Sequence, residues 1–119
     1  MKKKSSRHQN QIRRCEEDHA KLAAELSRTG FLLQGSITKR WRRCGNPSCS
    51  CQQDPKGRHA SYHQWTVKRR GKTVTVNLDA EQVAICRQWI QNNRRAENLT
   101  RQMQALTLRI AQLRGIPLK

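Results

Sequence analysis

Tyr62-His63-Gln64-Trp65-Thr66-Val67-Lys68-Arg69-Arg70-Gly71-Lys72-Thr73-Val74-Thr75-Val76-Asn77-Leu78 reads as a β-hairpin. Arg70-Gly71 falls at the two central turn positions, where glycine supplies a positive φ. That turn pairs Val67 with Val74, Trp65 with Val76 and His63 with Leu78 on one face. The other face then pairs Lys68 with Thr73, Thr66 with Thr75 and Gln64 with Asn77. Apolar pairs on one side and polar pairs on the other are what a half-buried ribbon requires. The apolar side needs a cover, either the cysteine-rich segment before it or the helix after it.

Moving outward, Asp79 is an N-cap with Gln82 completing a capping box. A helical pattern then fills residues 79–114, and Gly115 and Pro117 end it, leaving 115–119 as a tail. Within it Ile85, Trp89, Asn92, Ala96, Leu99, Met103, Leu106, Ile110 and Leu113 alternate spacings of four and three, a heptad seam with one polar break at Asn92. A single helix cannot bury such a seam. The N-terminal helix, residues 11–29, offers a shorter one through Ile12, Cys15, His19, Leu22 and Leu26 before Thr29-Gly30 stops it. The expected fold is therefore α+β. An antiparallel or dimeric helical stalk (a coiled coil) carries a module at residues 30–78, made of a small metal loop and a two-stranded hairpin. Leu99, Met103, Leu106, Ile110 and Leu113 form the expected oligomerisation seam. Residues 1–10 are basic and polar, the composition of a disordered arm.

The module holds Cys44-Gly45-Asn46-Pro47-Ser48-Cys49-Ser50-Cys51, three thiols in eight residues, with His59 after seven more. Zinc takes four tetrahedral Cys and His ligands in structural sites. Cys44, Cys49, Cys51 and His59 fill that set, with His63 the alternative fourth ligand. No CxxC spacing is present, so redox chemistry is not indicated. A catalytic zinc would need an open position and a general base. Asp54 is the single carboxylate between residues 38 and 78, and the HExxH and zinc-deaminase patterns are lacking. A structural zinc in a non-enzymatic protein, with no small-molecule substrate, is the expectation. Cys15 and Cys86 fall on helical patterns and read as small buried residues.

Charge points to the partner. The chain carries 25 Lys and Arg against 8 Asp and Glu, a net +17, and is only 34% hydrophobic. Such a surplus calls for a polyanion. The candidate nucleic-acid contacts are Lys39, Arg40, Trp41, Arg42, Arg43 and Arg58 around the cysteines, and Lys68, Arg69, Arg70 and Lys72 at the hairpin tip. A two-stranded ribbon fits a DNA major groove, which puts duplex DNA ahead of RNA. Trp41 and Trp65 keep an RNA or single-strand reading open through base stacking. No run of apolar residues is long enough to span a membrane. The basic start lacks the apolar stretch of a secretory signal, so a cytoplasmic protein is expected, where clustered cysteines mean metal or redox chemistry more often than disulfides.

The order of these features resembles a family of short bacterial proteins of unknown function. That family has a Gly-Ser-[Ile/Leu] lead-in, a CGxPxCxC run, a histidine before aromatic residues, a Gly-Lys hairpin and a long charged C-terminal helix. The matching residues are Gly35-Ser36-Ile37, Cys44 to Cys51, His59, Tyr62, Gly71-Lys72 and the helix beginning at Glu81, so the likeness spans roughly 31–113. The family is richer in aromatics after its histidine, where this chain has Ala60-Ser61-Tyr62-His63-Gln64-Trp65. Its members are often encoded beside transposases or recombinases. The resemblance thus implies a DNA-binding accessory of a mobile element, working in transposition or recombination, with a recombinase, a transposase or a second copy as partner. The rival expectation is a coiled-coil assembly adaptor within a larger nucleoprotein complex.

Overall fold

The computed structural model describes residues 2–42, 48 and 59–117, with the side chains of 2–5, 42, 59 and 60 outside the description. The elements run α1 (Lys2–Leu26), β1 (Ser36–Arg42), β2 (His59–Arg69), β3 (Lys72–Leu78) and α2 (Ala80–Leu113). The fold is α+β, with two helices and a three-stranded antiparallel sheet. The chain divides into two units. Met1–Leu32 with Asn92–Lys119 form one, and Leu33–Gln91 the other. No helix among the described residues is long and apolar enough to cross a membrane.

The Leu33–Gln91 unit is built on the sheet, ordered β1-β2-β3. The β2–β3 register is the one the alternation requires: His63↔Leu78, Gln64↔Asn77, Trp65↔Val76, Thr66↔Thr75, Val67↔Val74 and Lys68↔Thr73. The expected two-stranded hairpin is corrected in one respect, because Ser36–Arg42 adds a third strand against β2. Ile37↔Trp65 and Lys39↔His63 set its register. Arg70 and Gly71 turn the tip with φ of 52° and 78°, the pair of positive values that a type I′ turn demands.

The start of the long helix lies against the apolar face, and the cysteine segment, the other expected cover, lies outside the described residues. Leu33, Trp65, Val76, Leu78, Ile85 and Trp89 line a shared apolar cavity of about 360 Å³, and Val67, Val83 and Ile90 are buried. The helix starts where the capping box places it. The Gln82 amide donates to Asp79 Oδ1 at 2.8 Å, and the Asp79 amide donates to Gln82 Oε1 at 2.9 Å. The unit's boundary therefore lies inside α2, at residues 91/92, not at the strand–helix junction where the hairpin ends.

Gly35 fits where no other residue does. Its φ is +107°, and a Cβ there would stand 2.5 Å from the Thr66 carbonyl oxygen and 2.6 Å from Trp65 Nε1. Trp65 Nε1 is held in place by donating to the Gln34 carbonyl at 2.8 Å. Gly35→Ala is expected to cost about 3 kcal/mol, combining a left-handed backbone with overpacking against a fixed carbonyl. The midpoint of urea unfolding measures it.

In the other unit, α1 and the second part of α2 run antiparallel, as the Glu25–Arg95 and Glu16–Arg114 pairs at 3.8 and 3.9 Å require. These pairs are exposed and contribute about 0–1 kcal/mol each. Ala96 and Leu99 are buried. Ile12, Cys15, His19, Leu22 and Leu26 of α1, and Met103, Leu106, Ile110 and Leu113 of α2, are half-buried. The seam positions are thus the covered ones, and what stands is an antiparallel helix pair. Leu99, expected on an oligomerisation seam, is already 4% exposed within this pair. Asn92, the polar break, donates from Nδ2 to the Phe31 carbonyl at 3.0 Å. The far end closes as expected, with the Gly115 amide donating to the Gln112 carbonyl and that of Ile116 to the Ala111 carbonyl, a Schellman stop.

The N-terminus differs from the expected disordered arm at 1–10, because α1 begins at Lys2. Lysine, arginine and glutamine are good helix formers, and extending a formed helix is cheap once its nucleus exists.

A candidate nucleic-acid interface on the three-stranded sheet

Strand alternation sorts the basic residues onto different surfaces. Ile37, Lys39 and Trp41 share the face of Trp65, Val67, Val74 and Leu78. Thr38 and Arg40 share the opposite face with Tyr62, Gln64, Thr66 and Lys68 of β2 and Thr73, Thr75 and Asn77 of β3. The run Lys39-Arg40-Trp41, one cluster in the sequence, is therefore split across the sheet. Lys39 Nζ sits 4.7 Å from the centre of the Trp41 ring, a cation–π contact. Trp41 is 49% exposed.

The tip is electrostatically bare. Arg69, Arg70 and Lys72 are exposed, Arg69 pairs with Lys72 to close the turn, and none has a carboxylate partner among the described residues. The same holds for Arg40 and Lys68. The Leu33–Gln91 unit has eleven basic residues against three acidic ones, a net +8. One of the three, Asp79, is engaged in the helix cap. Arg70 is also the one described non-glycine residue with positive φ, a conformation that costs an ordinary side chain about 1–2 kcal/mol.

The expected zinc ligands Cys44, Cys49 and Cys51, together with Arg43 and Arg58, lie outside the described residues, as do the side chains of Arg42 and His59. The strand register still bears on them. His59 pairs with Arg42, across a register shift that is a β-bulge. The segment 43–58, which carries all three cysteines, thus leaves and re-enters the sheet at neighbouring positions. His59 stands at that mouth, and Cys44 is two residues past its strand partner. His63 stands four residues further along β2, about 13 Å at the usual strand rise, and pairs with Lys39 and Leu78. Among the described residues no three His, Cys, Asp or Glu side chains cluster. Cys15 and Cys86 are half-buried free thiols.

One set of residues escaped the sequence reading as a site. On the open face Gln64 Nε2 donates to Asn77 Oδ1 at 3.1 Å, and the Thr66 and Thr75 hydroxyls stand 3.4 Å apart. Their polar alternation was visible, but polarity alone reads as a solvated face.

A family model matches residues 10–88, about two thirds of the chain, from α1 through the sheet to α2; its description is domain of unknown function (DUF6788). No curated protein and no solved structure matches the chain significantly.

Proposed function

The chain belongs to the DUF6788 family, whose description assigns no activity, and from the residues themselves we propose a non-enzymatic, zinc-containing protein that binds nucleic acid, duplex DNA foremost. The observation that carries this reading is the set of exposed Arg40, Lys68, Arg69, Arg70 and Lys72, without carboxylate partners among the described residues, on one small sheet. Uncompensated cations at this density are favoured by a polyphosphate, which releases counterions as they bind. Arg70 supports the same reading. Glycine or asparagine suits its left-handed position better, so the arginine is held there at a cost, as functional residues often are.

Cys44, Cys49, Cys51 and His59 would hold the zinc. Bound there, it would add folding energy to a unit with a small core. We assign it no catalysis. The resemblance to proteins encoded beside transposases and recombinases makes an accessory role in a mobile element the process of choice. A second reading, an assembly adaptor, is favoured by the half-buried seam of Met103, Leu106, Ile110 and Leu113, which a recombinase, a transposase or another copy could cover.

Competition tests the proposal. Labelled duplex DNA bound to the zinc-loaded chain should be displaced by unlabelled duplex at lower concentration than by single-stranded DNA or RNA of equal length. Better displacement by single strands would move the assignment to the Trp41 surface. Failure to bind any of the three would leave the helical seam as the working surface.

A further inference from the structure

We propose that the open face of the sheet reads base edges in the major groove of duplex DNA, with Gln64 and Asn77 as specificity-determining residues; this deepens the DNA-binding reading and rests on it. Three observations converge. The first is shape. Three strands at the usual spacing make a platform about 10 Å across, which fits a major groove about 12 Å wide. From Tyr62 to Lys68 the face runs about 20 Å, or about six steps at 3.4 Å per base.

The second is chemistry. One face is covered by α2, while the other presents Thr38, Arg40, Gln64, Thr66, Lys68, Thr73, Thr75 and Asn77, six of them exposed and two, Gln64 and Thr66, half-buried on the central strand. Its two central rungs are an amide pair and a hydroxyl pair. The Gln64–Asn77 bond uses one donor and one acceptor. The pair retains a carbonyl oxygen and further amide N–H groups, the complement of adenine N6 and N7. The mutual bond also holds both side chains in position, so less freedom is lost on binding.

The third is the arrangement of charge. Arg40 lies at one edge of the face, and Lys68, Arg69, Arg70 and Lys72 at the tip end, so cations surround a neutral, hydrogen-bonding centre. Phosphate contacts position a protein and base contacts specify the sequence, and the face separates the two. Stacking on single strands needs aromatic platforms. Among the described residues this face has one aromatic, Tyr62, which is half-buried.

Selection from a random duplex library with the full zinc-loaded chain tests the inference. The native chain should recover a preferred core of about six base pairs or fewer. The Gln64→Ala/Asn77→Ala variant should lose roughly fivefold or more of the discrimination at A·T positions, while its affinity for random duplex and its salt slope change less than about twofold. Should that variant melt early, the uncharged, near-isosteric Gln64→Met carries the same expectation. Binding with no preferred core, or a variant that selects the native core with undiminished discrimination, overturns the inference and leaves DNA binding intact. Absence of duplex binding at low salt overturns the parent reading instead.

Discussion

Replacing Arg69, Arg70 and Lys72 together by alanine is expected to weaken duplex binding about a hundredfold at 0.15 M salt, since each lost phosphate contact forfeits about 1 kcal/mol of counterion release there. The salt slope should flatten by about 2.7, or 0.9 per contact. All three side chains are exposed and have no carboxylate partner among the described residues. Their removal breaks no ion pair and should move stability by less than about 0.5 kcal/mol. A melting curve beside the binding titration therefore separates lost contacts from lost fold. Unchanged affinity with an unchanged slope would mean that the tip is a solvated turn guarding the sheet.

Removing zinc should have the larger structural effect. The Leu33–Gln91 unit buries only Val67, Val83 and Ile90 among its described apolar residues, and a core of that size rarely stabilises a domain unaided. Structural zinc contributes apparent binding energy of about 10–16 kcal/mol, which becomes folding energy when no site exists in the unfolded chain. The purified chain should hold one zinc. A strong chelator, or Cys49→Ser, should abolish the protection of β1–β3 amides from hydrogen exchange and the chain's affinity for DNA. Cys86→Ser, at a half-buried thiol on α2, should leave the zinc content unchanged. Far less than one zinc per chain, or a Cys49→Ser variant that folds normally, would refute the metal assignment.

Local signals in the sequence were legible. The alternation from Tyr62 to Leu78 has a turn dipeptide at its centre, and the observed register follows it. Asp79 and Gln82 cap α2 as their spacing demands, and the helix seams fall on covered positions except at Ile85, which is exposed. What stayed hidden is non-local. β1 pairs with residues some 17 to 30 positions away, and its alternation of Ile37, Lys39 and Trp41 is masked by long cationic side chains. Without that strand Lys39, Arg40 and Trp41 look like one basic patch, whereas the pleat separates Arg40 from the other two. Asn92 looked like a flaw in an apolar seam, but its partner is the Phe31 carbonyl, which no periodicity reveals. The cysteine run is the most specific motif in the chain, and the ligand set proposed for it rests on residue chemistry alone, since its cysteines lie outside the described residues.

The most direct test is the salt dependence of duplex DNA binding by the zinc-loaded full chain. Five exposed cations on the sheet, Arg40, Lys68, Arg69, Arg70 and Lys72, predict a log–log slope of about −4.5. A slope near zero, or duplex binding that is negligible at physiological salt, would contradict the account.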